Sequence, residues 1–122
     1  MNKAAELIAI MFLGRDLAHR EHLKVTGPGS FAKHKALGEF YEGIVDLADK
    51  FAETYQGKYG IIDDIPLLEN EFSGNVNEVL RQQAEWIDTC RDEVTDYRPL
   101  QNIIDEVCGF YYAKLYLLDN LE

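Results

Sequence analysis

The sequence predicts an all-α protein, a four-helix bundle in which one long connection joins the second and third helices. Four segments repeat apolar residues at intervals of three and four, the spacing that gives a helix one apolar side. Turn-forming residues separate these segments, and one of the intervening stretches is long. No segment alternates apolar and polar residues far enough to predict a strand. Because 122 residues are enough to bury one core, we expect a single domain over residues 1–122.

The first two helices are predicted over residues 3–24 and 31–56, on either side of a Thr-Gly-Pro-Gly-Ser turn. Ser30 is expected to cap the second helix through its side chain. The residues expected on the apolar side of the first helix are Leu7, Ile10, Met11, Leu17 and Ala18. Those expected in the second are Leu37, Tyr41, Ile44, Ala48, Phe51 and Tyr55.

The last two helices are predicted over residues 75–95 and 100–121, with Asn75 as a capping residue and Pro99 in the first turn of the fourth helix. The apolar side of the third is predicted to hold Val76, Leu80, Ile87, Cys90 and Val94. That of the fourth is predicted to hold Leu100, Ile104, Val107, Tyr111, Leu118 and Leu121. The long connection covers residues 58–72, where Asp64 and Pro66 are expected to open a short helix over Leu67 and Leu68.

The charge balance is strongly acidic, with 12 lysines and arginines against 22 aspartates and glutamates and a net charge of -10. Such a surface repels phosphate backbones, so we expect no direct DNA binding. It suits metal cations or the basic surface of another protein.

The two cysteines, Cys90 and Cys108, are too few for a disulfide framework or a zinc site. We expect both to be buried free thiols in a reducing compartment. The apolar run over residues 7–13 is too short to span a membrane and lacks the features of a secretory leader. These observations predict a cytoplasmic protein that does not enter membranes.

Five carboxylates follow one side of the second helix at spacings of 3, 4, 3 and 4: Glu39, Glu42, Asp46, Asp49 and Glu53. They fall within an arc of about 80° and repel one another. One interpretation is a solvated outer side, and the other is a cation or basic partner that offsets the repulsion. The three histidines, His19, His22 and His34, lie on or near this side. Mixed imidazole and carboxylate ligands suit iron, manganese or zinc.

The segment from His22 through the glycine turn, Phe31 and His34 to Asp49 and Glu53 resembles the signature of the Dps-type miniferritins. That signature has a histidine, a glycine turn, a phenylalanine, a second histidine, and then an aspartate and a glutamate four residues apart. The resemblance extends more faintly over the whole chain. It implies a ferritin-like four-helix bundle whose long crossover joins helices 2 and 3.

The resemblance also implies a function. Miniferritins bind ferrous iron between two subunits, oxidise it with peroxide and store the ferric mineral. On this basis the metal ligands are His22 and His34 of one subunit and Asp49 and Glu53 of its mate. The family commonly has an aspartate where this chain has Gly38, so Glu42 and Glu39 are candidate substitutes. The metal is expected to be iron, with manganese or zinc as alternatives, in a bacterial or phage-infected cell.

The partner expected from this resemblance is a second copy of the chain. The dimer is predicted to form through the second helix and the crossover, where Val45 and Ala52 give the acidic side a small apolar seam. Two other functions stay open. One is a ferritin-like oligomeric interaction module without oxidase activity. The other is an acidic inhibitor that occupies a basic groove on another protein.

Overall fold

The structure, a computed structural model, describes residues 2–120, and these form four helices and no strand. The helices are α1 (Lys3–Lys24), α2 (Ser30–Tyr59), α3 (Val76–Val94) and α4 (Arg98–Asn120). They pack into a four-helix bundle, which confirms the predicted all-α architecture. Within residues 2–120, no helix has the length and apolar character needed to cross a bilayer.

The bundle consists of two antiparallel hairpins, α1–α2 and α3–α4, packed side by side. In the described part of the chain α1 packs on α2 and α3, and α4 packs on the same two helices, so α2 and α3 lie on a diagonal. Ion pairs from Lys50 to Glu106 and from Lys114 to Glu39 show that α2 and α4 run in opposite directions. The connection between α2 and α3 therefore returns along the full length of the bundle.

The helix ends follow the sequence at two of the three points that it specifies. Asn75 caps α3, because its side chain accepts a hydrogen bond from the backbone N–H of Glu78 at 3.0 Å. Pro99 lies in the first turn of α4, as predicted. The Ser30 cap is wrong: α2 begins at Ser30, and the residue before it is Gly29, whose φ of 79° requires the left-handed conformation that glycine adopts readily.

The core is wider than the predicted apolar stripes. Phe40 and Ala36 are buried although the stripe on α2 omits them, because α2 packs on both α1 and α4. Tyr41 and Tyr55 of the predicted stripe are only half-buried. Leu17, Cys90 and Val94 are also half-buried, whereas every other predicted core residue up to Leu118 is buried, and Leu121 lies outside the described residues.

The cysteines differ in environment. Cys108 is buried in the core and is a free thiol, as predicted, and burial raises its pKa to about 11. Cys90 is also free but only half-buried, so the predicted burial of this thiol is wrong. It lies at the outer edge of the contact between α1 and α3.

The connection between α2 and α3, residues 60–75, is here called the strap. The predicted short helix over Leu67 and Leu68 is wrong, since the whole strap is non-helical. Four of its side chains pack against the core at intervals of three and four: Ile62, Ile65, Leu68 and Phe72. The strap therefore packs these groups against the bundle without forming a helix.

A buried polar contact joins three helices at the centre of the bundle. The Tyr111 hydroxyl of α4 donates a hydrogen bond to Oε1 of Gln83 on α3 at 2.8 Å, and both side chains are fully buried. Gly14 of α1 lies directly against this pair. A Cβ atom at Gly14 would collide with Gln83 Oε1 and lie 3.0 Å from the Tyr111 hydroxyl. The pair therefore fits at this point because Gly14 of α1 has no side chain.

Replacing Gly14 with alanine should destabilise the bundle by about 1–3 kcal/mol, because the added methyl overpacks the buried pair. Gly109 on α4 is the matched control, since a Cβ there meets nothing within 4 Å. Gly109→Ala should stabilise the protein by up to about 1 kcal/mol through its higher helix propensity. Urea unfolding of both variants measures the difference. Equal effects of the two substitutions would contradict this account of Gly14.

Removing one member of the polar pair should cost more than removing both. Tyr111→Phe leaves the buried Gln83 amide without its partner, at a cost of about 1–3 kcal/mol, and Gln83→Leu leaves the Tyr111 hydroxyl unpaired. The double variant should be close to the wild type in stability. A double-mutant cycle of unfolding free energies gives the coupling, and additive single effects would show that the hydrogen bond contributes nothing.

Candidate functional site

Two histidines meet where α1 ends and α2 begins. His22 Nδ1 lies 2.7 Å from the backbone oxygen of His34, and His34 Nδ1 lies 2.8 Å from the backbone oxygen of His22. The two imidazole rings stack with their centroids 3.6 Å apart. This reciprocal pair, here called the histidine brace, fastens the end of α1 to the first turns of α2. It also provides a partner for a carbonyl that the end of α1 leaves without an intrahelical donor.

The brace determines which ring nitrogens are available for other contacts. A carbonyl oxygen can only accept a hydrogen bond, so Nδ1 carries the proton in both His22 and His34. In the neutral rings Nε2 is then an unprotonated lone-pair donor. This is the arrangement that metal-binding histidines typically show, with one ring nitrogen bonded to a backbone carbonyl and the other facing the ion.

Gly38 has a structural role beside the brace. It lies one turn after His34 on α2, and a Cβ atom at this position would be 3.2 Å from Cε1 and 3.4 Å from Nδ1 of His22. The first distance is tighter than most contacts of a Cβ atom, and the second is at the lower limit of ordinary contact. From the sequence Gly38 is interpreted as a missing carboxylate, whereas in the structure it leaves room for the His22 ring.

Two further rings extend the brace along the α1–α2 contact. Tyr41 stacks on His19 at a centroid distance of 4.2 Å and meets His22 edge-on at 5.2 Å. The sequence places Tyr41 in the core, and its role as the spacer between two histidines was not predicted. The spacing of three between His19 and His22 puts both rings on the same side of α1. This spacing is the feature of the sequence from which the ring cluster could have been predicted.

The five carboxylates of α2 form an exposed acidic row: Glu39, Glu42, Asp46, Asp49 and Glu53. Glu39 pairs with Lys114 of α4 at 3.6 Å. Within residues 2–120, the other four form no ion pair within 4.0 Å. The row is therefore solvated in the single chain and is free to meet a cation or a partner.

One chain does not bring the predicted ligands together. Asp49 and Glu53 follow His34 by 15 and 19 residues on the same helix, which separates them from the brace by more than about 20 Å. Among the described residues, no group of three or more histidine, cysteine, aspartate and glutamate side chains is placed to hold a metal ion. A complete site would need a second chain, as the resemblance implies, so the four-ligand set stays a prediction.

The surface next to Asp49 is partly apolar. A shallow depression of about 390 Å³ is lined by Phe12 and Arg15 of α1 and by Val45 and Asp49 of α2. The Phe12 side chain is 41% exposed. Val45 and Ala52, the residues of the predicted seam, are half-buried, and the dimer contact itself stays a prediction.

Residues 22–118 match a protein family described as a family of unknown function, DUF5856. The chain is also similar to a protein of Enterobacteria phage T4, described as an uncharacterized 14.6 kDa protein in the mobD-ri intergenic region. The two are 27% identical over 120 residues, which cover 96% of this chain and 88% of that protein. No solved structure matches the chain. The matched family segment begins at His22 and includes the brace, the acidic row and the strap.

The tautomers of the brace can be tested by nitrogen NMR of the imidazole rings, above the ordinary histidine pKa of about 6.5. His22 and His34 should both carry the proton on Nδ1, with Nε2 bare. Gly38→Ala should change the His22 signals most, because the added methyl crowds that ring. His19, which has no such hydrogen bond among the described contacts, is the internal control. If the neutral ring of either brace residue carried its proton on Nε2, this tautomer assignment would be wrong.

Proposed function

We propose that this chain, which belongs to the DUF5856 family of unknown function, is a ferritin-like protein of the miniferritin type that binds ferrous iron between two copies in the cytoplasm. The observation that carries the proposal is the histidine brace, which leaves two Nε2 lone pairs available on one end of the bundle. Iron is here the substrate. Manganese and zinc are alternatives, because imidazole nitrogen with carboxylate oxygen suits all three.

The helix order supports the ferritin-like part of the proposal. Ferritin-like bundles have two hairpins and one long crossover. The strap has the length and position expected of that crossover, since it joins α2 and α3, which lie on a diagonal of the bundle. A bundle with short loops throughout would place consecutive helices side by side.

The proposed site uses residues from two chains in different roles. His22 and His34 of one copy provide neutral nitrogen ligands, which add no charge. Asp49 and Glu53 of the other copy provide the negative charge that attracts the ion. Glu42 is the better candidate for an additional ligand, because Glu39 is already paired with Lys114. Bringing carboxylates into a partly dry interface is costly, and a bound cation would offset that cost.

The dimer proposed here uses the outer side of α2. Phe12, Val45 and Ala52 would supply its apolar contact, and the acidic row would line it. Arg15 and Asp49 border the same depression with opposite charges. In a two-fold interface each residue meets its counterpart's neighbours, so such a mixture of charges can be self-complementary.

If the ligands come from two copies, mixing two inactive variants should restore binding. His34→Ala and Asp49→Ala should each abolish the rise in melting temperature that ferrous iron gives the wild type. Random exchange of subunits makes about half of the dimers mixed, and each of these has one intact site of two. About a quarter of the sites should therefore return, measured by anaerobic iron titration. Asp92→Ala, which alters an exposed acid of α3 outside the set, is the control.

Two results would contradict the proposal. One is a wild-type protein whose melting temperature does not respond to ferrous iron and whose peroxide-driven iron oxidation equals the protein-free rate. The other is a monomer by light scattering at high micromolar concentration, with and without metal. Two variants that each lose binding and whose mixture restores none would contradict the placement of the ligands on two chains.

The second candidate function is an acidic interaction module without oxidase activity. The observation in its favour is that the acidic row is solvated in the single chain, ready to meet basic side chains. This function needs no metal. A melting temperature that ferrous iron does not change, together with binding of a basic protein, would favour this function over that of a miniferritin.

A further inference from the structure

Two cavities flank the strap on the side of the bundle away from α4. The first, of about 480 Å³, lies between α1 and the strap and is lined by residues that include Phe12, Leu13 and Leu68. The second, of about 580 Å³, extends from Leu13 towards Trp86 of α3. Both cavities share Leu13, Leu67 and Leu68. Together they form one interrupted groove along α1, here called the strap groove.

Leu67 stands at the centre of this groove. Its side chain is fully exposed, at 102%, although Ile65 and Leu68 on either side pack against the core. Exposing a leucine side chain instead of burying it forgoes about 1.5–3 kcal/mol. Phe12, which lines the same cavity, is 41% exposed, so two large apolar side chains are exposed beside each other here, as is common at interaction sites.

The charged residues that line the two cavities are all acidic, and Lys3 lies over the Trp86 ring at the end of the second. Asp16 lines the first cavity, and Glu6, Glu69 and Glu71 line the second. No lysine, arginine or histidine lines either cavity within the described residues. Asp16 is paired with Arg20, and Glu6 lies 3.8 Å from Lys3. Glu69 and Glu71 have no such partner in residues 2–120, so they form an acidic rim beside an apolar floor.

We propose that the strap groove binds a basic amphipathic helix of another protein. The apolar floor suits a row of large aliphatic side chains at helical spacing, and the acidic rim suits lysines and arginines on the flank of that row. A second copy of this chain fits poorly, because the net charge is -10 and every charged lining residue is acidic. Two such grooves facing each other would place like charges together.

This inference goes beyond the proposed iron site and does not depend on it. The groove is built from α1, the strap and α3, whereas the proposed ligands lie on α2 and at the end of α1. Phe12 borders both the groove and the proposed dimer contact, whereas Leu67, Glu69 and Glu71 border only the groove, so variants at these three residues test the groove separately.

The test uses a fluorescent amphipathic peptide with leucines at helical spacing and lysines elsewhere, and a scrambled peptide of the same composition. Binding to the full chain is followed by fluorescence anisotropy. Leu67→Asp should weaken binding of the leucine–lysine peptide at least tenfold, because the substitution places a charge in the apolar floor. Attraction by net charge alone predicts the opposite, since the variant is more acidic than the wild type. The direction of the change therefore separates the two explanations.

Tyr116→Asp is the matched control. Tyr116 is 62% exposed on α4 and lines neither cavity of the groove, and the substitution adds the same charge. The affinity of the Tyr116→Asp variant for the leucine–lysine peptide should stay within twofold of the wild-type value. Glu69→Gln with Glu71→Gln should weaken binding and flatten its dependence on salt, because the rim charges are then absent.

Three results would overturn the proposal. The first is a wild-type protein that does not distinguish the amphipathic peptide from the scrambled one. The second is unchanged or tighter binding by Leu67→Asp with a wild-type circular dichroism spectrum. The third is a change from dimer to monomer in Leu67→Asp by light scattering, which would show that a second copy occupies the groove.

Discussion

The packing of this bundle depends on one contact, the hydrogen bond between Tyr111 and Gln83 against the bare backbone of Gly14. Three helices must be correctly placed along their axes for these groups to meet, and a shift of one turn would bury an unpaired hydroxyl and an unpaired amide. An apolar core tolerates small slips, because one aliphatic contact can replace another. A buried polar pair does not, because each of its groups loses water on burial and needs a particular partner. One group stays unsatisfied even so, since Nε2 of Gln83 has no hydrogen-bond partner among residues 2–120.

The histidine brace and the strap act at opposite ends of the α1–α2 hairpin. The brace ties the top of the hairpin by two hydrogen bonds between residues far apart in sequence, His22 and His34. At the other end, the backbone N–H of Ile62 donates to the side chain of Gln56 at 3.0 Å, which fixes where the strap leaves α2. The hairpin is thus defined at both ends by side-chain to backbone contacts. The outer side of α2 is left free, and the whole acidic row lies on it.

Most of the fold could be predicted from the sequence, because helical periodicity and turn residues are local signals. The features that were missed are those that depend on the neighbouring helix. Phe40 lies off the predicted stripe, yet it is buried against Phe110 and Tyr111 of α4. The sequence suggests that Gly38 replaces a metal ligand. In the structure the His22 ring lies beside it and needs the space. The strap was expected to be helical at Leu67 and Leu68, and no local signal indicates that only one of these two leucines faces the core.

The strap has a consequence for how the chain could be divided. It joins two hairpins that are each closed by a short turn, and its backbone around Leu67 and Glu69 makes no hydrogen bond to either hairpin in the described structure. Exposed, non-helical segments of this kind are where proteases cut and where insertions are accepted. Cleavage there would leave the Gly14–Gln83–Tyr111 contact, and most of the apolar packing, on intact helices. The molecule can in this sense be regarded as two helical hairpins that pack against each other and are joined by one exposed segment.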